Sequence, residues 1–496
     1  MNRRPRILLV SEFYPANPDT CVFGAFKRLR CHVEALSRLG TVDAVFFWPQ
    51  HDMSAEMTGK QVAQTRKSWP IEGSIRFIKA ATGPRSKLEW LTDVLWAVRG
   101  AVGFFHTKAT MRTCRRTQVV ALQRCIDELM PDLIFAHRLG GFAPLMRMQT
   151  DLPPIVVDVD DLEHVKLARL ARTIPHPARK AGLMAQTLLA LHALRRASGK
   201  ARHLLVTSEL DREKIRSACT GFDATLIANS ASRFAAIRSD PGPVACFVGT
   251  AAYPPNAEAI LWFVREVWPL VRKAVPDARL LIAGENTERL VPDGAGQAIE
   301  ALGFVADLAA IYDRARLCVC PVRRGAGTRI KIIEAAMNGR PAVSTTVGAE
   351  GLRFTPDEEI LLADKAADFA QACVRLLRDA NCAAALGGAA RRRAEAEHSE
   401  ESIAHRLQSL CSELIAASGA GSTPIQDEQR SRLQRLVATP RPAIQSNRGG
   451  QRASQSLHTG GQHVALGRLD QAEADATSRR TSTSCRIARK GHEDRA

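Results

Sequence analysis

The stretch Arg323–Glu334 reads RRGAGTRIKIIE, in which four cations and two glycines precede one carboxylate. Thr328 can cap a helix, and Gly339 and Pro341 can end one. A short helix over Arg329–Asn338, between two apolar runs, is therefore predicted. The free N–H groups and positive dipole end of such a helix favour an anion. Gly325 and Gly327 let the backbone approach it closely, and Arg323, Arg324, Arg329 and Lys331 add charge. Lys331 and Glu334 share a helix face, with a rise of about 4.5 Å between them. An anion at Lys331 leaves Glu334 free to accept two charge-assisted hydrogen bonds from a vicinal diol such as a ribose. The ligand these residues suit is a phosphate or diphosphate that carries a sugar. No Gly-Lys-Ser/Thr follows the glycines, so this is not a Walker loop. Ile330 stands where G-x-G-x-x-G needs its third glycine. The blander alternative is a basic surface loop with Lys331 and Glu334 as an ordinary helical pair.

Two other places could do chemistry. His137 follows the apolar run Leu133–Ala136, where an imidazole can donate or accept a proton. A lone histidine there can equally be structural. In VVDVDDLEH, Asp158, Asp160, Asp161, Glu163 and His164 crowd a strand end. Such a set can hold Mg²⁺ or Mn²⁺. It can also bind an acceptor through Asp158 or Asp161, or cap the following helix through Asp160 or Asp161.

These residues must be positioned by the elements around them. Apolar runs at Arg6–Val10, Val42–Trp48, Leu133–Ala136, Ile155–Val157 and Leu204–Ser208 alternate with helical stretches such as Ala25–Leu39, closed by Gly40. The chain turns polar between Arg233 and Pro243, and the rhythm restarts at Ala245–Gly249. Asn256 is placed to cap the next helix through ILWFVREVW, and strands follow at Ala278–Ala283, Leu317–Pro321 and Ala342–Thr345. The expected class is α/β, with two Rossmann-like doubly wound domains facing a central cleft. The first domain is placed at 1–238, the second at 239–395, and a helix at 396–417 returns to the first. Residues 418–496 are rich in Gly, Ser, Arg and Gln without apolar periodicity, which predicts disorder.

Composition narrows the partners. With 45% hydrophobic and 24% charged residues, the 496-residue chain is an ordinary globular one. Its net charge of +18 favours anionic partners. Zinc-finger spacing and aromatic RNA-binding strands are missing, so nucleic acid is not expected and an anionic membrane surface is preferred. Twelve cysteines are scattered without C-x-x-C, which argues against zinc and redox motifs and for reduced thiols in the cytoplasm. The apolar run Ile7–Val10 is too short for a signal peptide and reads as a first strand. Leu88, Leu91, Leu95 and Val98 would share one face of a helix that lies on a membrane, covers the cleft, or packs on its own domain. The expected location is cytoplasmic, peripheral on the inner face of the membrane.

GAGTRIKIIEAAMNGRPAVSTTVGAEGL resembles the donor-site signature of glycosyltransferase family 4, the group 1 glycosyltransferases of GT-B fold. SEFYPANPDTCVFGAFKRL, LLVTSELDREKI, ACFVGTAAYPPNAEAILWF, LLIAGE and ALGFVADLAAIYDRA resemble further parts of these enzymes, in the same order. The likeness spans residues 5–415 and is specific in the second half. It implies that Glu334 holds the ribose and that Gly325, Gly327, Thr328, Arg329 and Lys331 surround the diphosphate. It implies that Phe304 and Val305 lie along the base, that Gly249 and Gly24 line the cleft, and that His137 points at the transferred sugar. The family's first glutamate, which contacts the donor sugar, falls at Ala326 and is missing; Arg323 and Arg324 could compensate. The family's usual lysine after the second-domain glycine loop is not evident, and its Pro-Asn-Gly reads Ala228-Asn229-Ser230. The implied activity moves a hexose-type sugar from a nucleoside diphosphate sugar to a glycan or lipid-linked acceptor, with retention of configuration and no metal, in polysaccharide biosynthesis. The alternatives are an inactive nucleotide-sugar-binding subunit and a GT-B epimerase or phosphorylase.

Overall fold

The computed structural model describes residues 3–14, 24–48, 55–80, 113–233, 240–291 and 298–420. The helix expected around 88–105 and the tail beyond residue 420 lie outside them.

Seven strands form the first sheet: β1 (Arg6–Ser11), β2 (Thr41–Trp48), β3 (Ile75–Lys79), β4 (Leu133–His137), β5 (Ile155–Asp160), β6 (His203–Val206) and β7 (Thr225–Leu226). Six form the second: β8 (Val244–Val248), β9 (Arg279–Ala283), β10 (Ile299–Gly303), β11 (Leu317–Cys320), β12 (Ala342–Ser344) and β13 (Leu361–Leu362). The orders are β3-β2-β1-β4-β5-β6-β7 and β10-β9-β8-β11-β12-β13, and neighbouring strands are parallel. In each sheet the chain reverses its direction of winding between the first and fourth strands. The crevice beyond the carboxyl ends there is where open α/β sheets bind ligands.

The strands read as continuous apolar runs because helices cover both faces. In the first sheet Leu8, Val10, Ile134, Val157 and Leu204 pack on one side, and Ile7, Leu9, Phe135, Val156 and Leu205 on the other. The helix Glu400–Ala420 follows the second sheet in sequence but packs on the first. Ile403, Leu407 and Cys411 join Leu29, Val33 and Leu36, and Gln408 Nε2 donates to the Ala35 carbonyl at 2.9 Å. The ten cysteines among the described residues are free thiols. No described helix is long and apolar enough to cross a membrane.

The helix after β8 starts differently from the sequence expectation. Tyr253 precedes it, Pro254 opens it, and Asn256 lies inside its first turn rather than at its cap. Proline is suited to the first turn because its missing N–H would have no partner there. The Asn256 side chain is thereby released for the cleft, where it donates to the Thr250 carbonyl at 3.0 Å.

Candidate functional site

On the second domain, the loops after β8 and β11 flank the switch point. Gly249 follows β8 with φ 153°, and an added Cβ would lie 2.8 Å from Asn256 Nδ2 and 3.0 Å from Lys331 Nζ. After β11, Gly325 (φ 123°) and Gly327 (φ 77°) shape the loop into the helix Ile330–Met337. That helix begins one residue later than predicted, and Thr328 does not cap it. The Thr328 hydroxyl instead accepts from Asn229 Nδ2 of the first domain at 2.7 Å.

Lys331 and Arg329 are each only 9% exposed, yet neither forms an ion pair among the described residues. Lys331 Nζ donates to Asn256 Oδ1 at 3.0 Å and lies 3.8 Å from the centre of the Phe247 ring. Burial lowers its pKa. Arg329 Nη1 donates to the Ala326 and Gly327 carbonyls and so braces the glycine loop. Its Nε and Nη2 are buried with no hydrogen-bond partner among the described residues. Glu334 is one turn further along and 7% exposed. Its Oε1 accepts from Lys27 Nζ of the first domain at 2.5 Å, and its Oε2 from the Tyr312 hydroxyl at 3.4 Å.

The remaining predicted donor-site residues divide. Gly24 opens the first-domain helix Gly24–Leu39, and its added Cβ would lie 2.9 Å from Ile330 Cδ1. Two helix N-termini therefore meet at the cleft, and neither carries an acid in its first turn. Phe304 follows β10 and is 50% exposed, while Val305 packs against the second sheet's core. Arg323 and Arg324 depart from expectation. Arg323 stacks over Trp262 at 5.2 Å and Arg324 pairs with Glu258 at 3.1 Å. Their contacts are with the helix Pro254–Trp262, not with Lys331 or Glu334, because the glycine-rich turn separates them from Arg329.

The first domain supplies the facing wall. His137 ends β4 at the switch point beside β1 and is fully buried. Its Nδ1 lies 2.9 Å from Ser11 Oγ, which itself donates to the Phe13 carbonyl at 2.8 Å. The Ser11 proton is thus committed, so Nδ1 donates and Nε2 is left as a bare acceptor. Nε2 is buried without a partner among the described residues. Burial pushes the imidazole pKa down to about 3, so His137 is neutral at physiological pH. Arg138 lies beside it, 3.6 Å from Glu12 and 3.8 Å from Asp160.

The aspartates of VVDVDDLEH separate. Asp158 is fully buried and takes Arg28 Nη2 at 2.8 Å and Nε at 3.0 Å, with His32 Nδ1 at 3.4 Å. It is a structural counter-ion, closed to acceptor and metal, which corrects the role given to it from sequence. The register shifts between Asp158 and Asp160, and Asp160 adopts φ 58°. That kink turns the following residue to the cleft. Asp161 Oδ1 lies only 1.8 Å from where a Cβ on Gly327 would stand. Glycine is required at 327 for this reason as well as for its φ. Neither aspartate caps the helix Glu163–Thr173, whose cap position is Leu162 without a side-chain bond. Among the described residues no three His, Cys, Asp or Glu side chains converge as metal ligands.

Asp160 has its pKa raised to about 7, first by burial and then by the charge of Asp161. Its folded value lies above the ordinary carboxyl value, so the folded state holds the proton longer. Stability is then lost as pH rises from about 4 to about 7. Asp160→Asn, which tolerates the same left-handed backbone, should flatten this slope. Melting temperatures of parent and variant between pH 5 and 8 measure it; parallel curves would exclude the effect.

Sequence reasoning missed several residues that build the site. Arg169, on the helix Glu163–Thr173, grips Glu350 with two bonds of 2.5 Å and donates to the Gly325 carbonyl at 2.6 Å. Lys27, Arg28, Tyr312 and Asn256 were missed as well. Only Asn256 carried a local signal, its place in the loop TAAYPPN, and that signal was taken for a cap.

Residues 242–379 match the family described as "Glycosyl transferases group 1". An uncharacterised 44.6 kDa protein in the cps region of Klebsiella pneumoniae is 32% identical over 134 residues, 25% of this chain and 34% of that protein. The chain thus matches about a third of that relative's length. Among solved structures, a sucrose-phosphate synthase from Thermosynechococcus elongatus aligns with TM-score 0.61 at 19% identity, covering 84% of this chain and 100% of the other. A point mutant of S. aureus TarM, in a complex with fondaparinux, alpha-GlcNAc-glycerol and UDP, aligns with TM-score 0.56 at 11% identity over 83% and 99%. Anabaena HepE in complex with UDP aligns with TM-score 0.53 at 12% identity over 82% and 100%. At these identities the structural likeness speaks to the fold. The chain has the two-domain GT-B fold and carries in its second half a group 1 glycosyl transferase domain.

Proposed function

We propose that this protein is a glycosyltransferase that moves a hexose-type sugar from a nucleoside diphosphate sugar to a hydroxyl of a glycan or lipid-linked acceptor. The observation that carries the reading is the pair of buried cations, Lys331 and Arg329, which form no ion pair among the described residues, beside a buried Glu334. A buried charge is costly unless something neutralises it, and a diphosphate would do so. Glu334 would take the ribose diol, and the exposed ring of Phe304 would stack on the base. As the glycosidic bond breaks, negative charge grows on the leaving diphosphate. Lys331, Arg329 and the two helix N-termini stand ready to stabilise it. The bare His137 Nε2 would accept a hydroxyl proton of the transferred sugar. Asp161 brings a carboxylate from the opposite domain to Gly327, the residue after Ala326, where the family's first glutamate is missing. Retention of configuration and independence of metal rest on the group 1 resemblance. A part in polysaccharide synthesis is supported by the cps-region relative, and peripheral membrane association by the +18 charge.

The test is calorimetric titration with UDP, GDP, ADP and TDP, repeated on Glu334→Ala. One nucleotide should bind, and the substitution should weaken it about a hundredfold, the size of two charge-assisted bonds. No binding by any of the four to the folded protein would overturn the reading. Ala326 favours one second reading, a nucleotide-sugar-binding subunit without turnover. Labelled donor with a membrane extract distinguishes it, since binding without transfer would establish the subunit.

A further inference from the structure

Lys27 reaches across the cleft from the first turn of the helix Gly24–Leu39 and meets Glu334 Oε1 at 2.5 Å. This position is odd for the helix alone. A cation in the first turn opposes the helix dipole, and no acid in that turn offsets it. The neighbouring Arg28 has a structural partner in Asp158, but among the described residues the Lys27 ammonium pairs with Glu334. Among the contacts of Glu334 the bond to Lys27 is the short, charge-assisted one, while that to Tyr312 is long at 3.4 Å. A vicinal diol that takes both carboxylate oxygens would meet Lys27 at Oε1 and compete with it for the charge of Glu334. Lys27 can withdraw, because its side chain is 33% exposed on a flexible stem.

We infer that Lys27 is a built-in competitor for the ribose seat: its ammonium holds Glu334 across the two domains, and a nucleotide's ribose binds at the expense of that contact. The inference rests on the donor-site reading above and adds to it a residue that sets nucleotide affinity from the opposite domain. Displacement exchanges an inter-domain ion pair for ribose bonds. Nucleotide entry would thereby loosen one cross-cleft contact while Arg169–Glu350 and Asn229–Thr328 persist.

The experiment is a double-mutant cycle on nucleotide affinity in the full chain. Lys27→Met should bind UDP, or whichever of the four diphosphates the titration selects, about fivefold more tightly than the parent, the worth of a partly exposed ion pair. In the Glu334→Gln background, the same Lys27→Met change should leave affinity within twofold. The 2′,3′-dideoxy form of the nucleotide should show no tightening, because it has no diol to compete. Lys27→Arg, which keeps the charge, should behave as the parent, and cooperative melting of each variant confirms folding. Weaker binding by Lys27→Met would overturn the inference and make Lys27 a nucleotide ligand. Tightening that persists in the Glu334→Gln background would also overturn it, since the effect would not pass through Glu334. Absence of binding by parent and variants alike would remove the donor site itself, a separate and recognisable failure.

Discussion

Lys331→Met should be at least as stable as the parent without nucleotide, by a margin of about 1 kcal/mol, yet bind nucleoside diphosphate about a hundredfold more weakly. The two effects have one cause. Lys331 is buried against the Phe247 ring with Asn256 Oδ1 as its hydrogen-bond partner and no carboxylate within ion-pair distance among the described residues. Its desolvation is a burden on the fold that the Asn256 bond and the Phe247 ring offset only in part, and methionine fills the same space without the charge. The sign extends to pH. Burial depresses the Lys331 pKa below its unfolded value, so the unfolded chain holds the proton to higher pH. The parent regains stability as pH climbs from the folded toward the unfolded value, and the gap between parent and variant closes in alkali. Urea denaturation at two pH values together with nucleotide titration reads both effects. A destabilised Lys331→Met would show that Lys331 serves the fold and not the ligand.

Arg28→Met should do the reverse and cost about 3–5 kcal/mol of stability, because it leaves Asp158 as an uncompensated buried carboxylate. Arg28 spends its donors on Asp158 and on the Ile227 and Ala228 carbonyls and Asn229 Oδ1. Burial raises the Asp158 pKa, but Arg28 and His32 outweigh it and hold the carboxyl well below its ordinary range. The stabilisation is therefore present above the ordinary carboxylate pKa and is lost as pH falls below it. Removing both charges with Arg28→Met and Asp158→Leu should recover part of the loss. The substitution also frees the segment Ile227–Asn229, whose Asn229 side chain holds Thr328, so nucleotide affinity should fall as well. Urea denaturation of the three proteins decides it. A single variant as stable as the parent would mean that Asp158 finds another partner or a proton.

Lys331 and Arg28 mark the division between what the sequence determined and what it could not. Apolar runs such as Ile7–Val10 and Leu317–Cys320 announce buried parallel strands, because such strands are covered on both faces and need no partner to be recognised. The stretch Gly325–Glu334 announces an anion site, because glycines, cations and a helix start are neighbours in the chain and act locally. The pairing of charges is a different matter. Lys27 finds Glu334 from 307 positions away, Arg28 finds Asp158 from 130, and Arg169 finds Glu350 from 181. Asp158 and Asp161 read as equivalent carboxylates, but one serves the core and the other faces the glycine loop at Gly327. Arg323 and Arg324 read as equivalents of Arg329 and instead serve a neighbouring helix. Which side of a strand faces the cleft, and which cation is left without an acid, depends on a register shift at Asp160 and on two sheets brought face to face. Local spacing sets which residues can act on a ligand; only the packing of distant elements decides which of them are already neutralised and which remain free to do so.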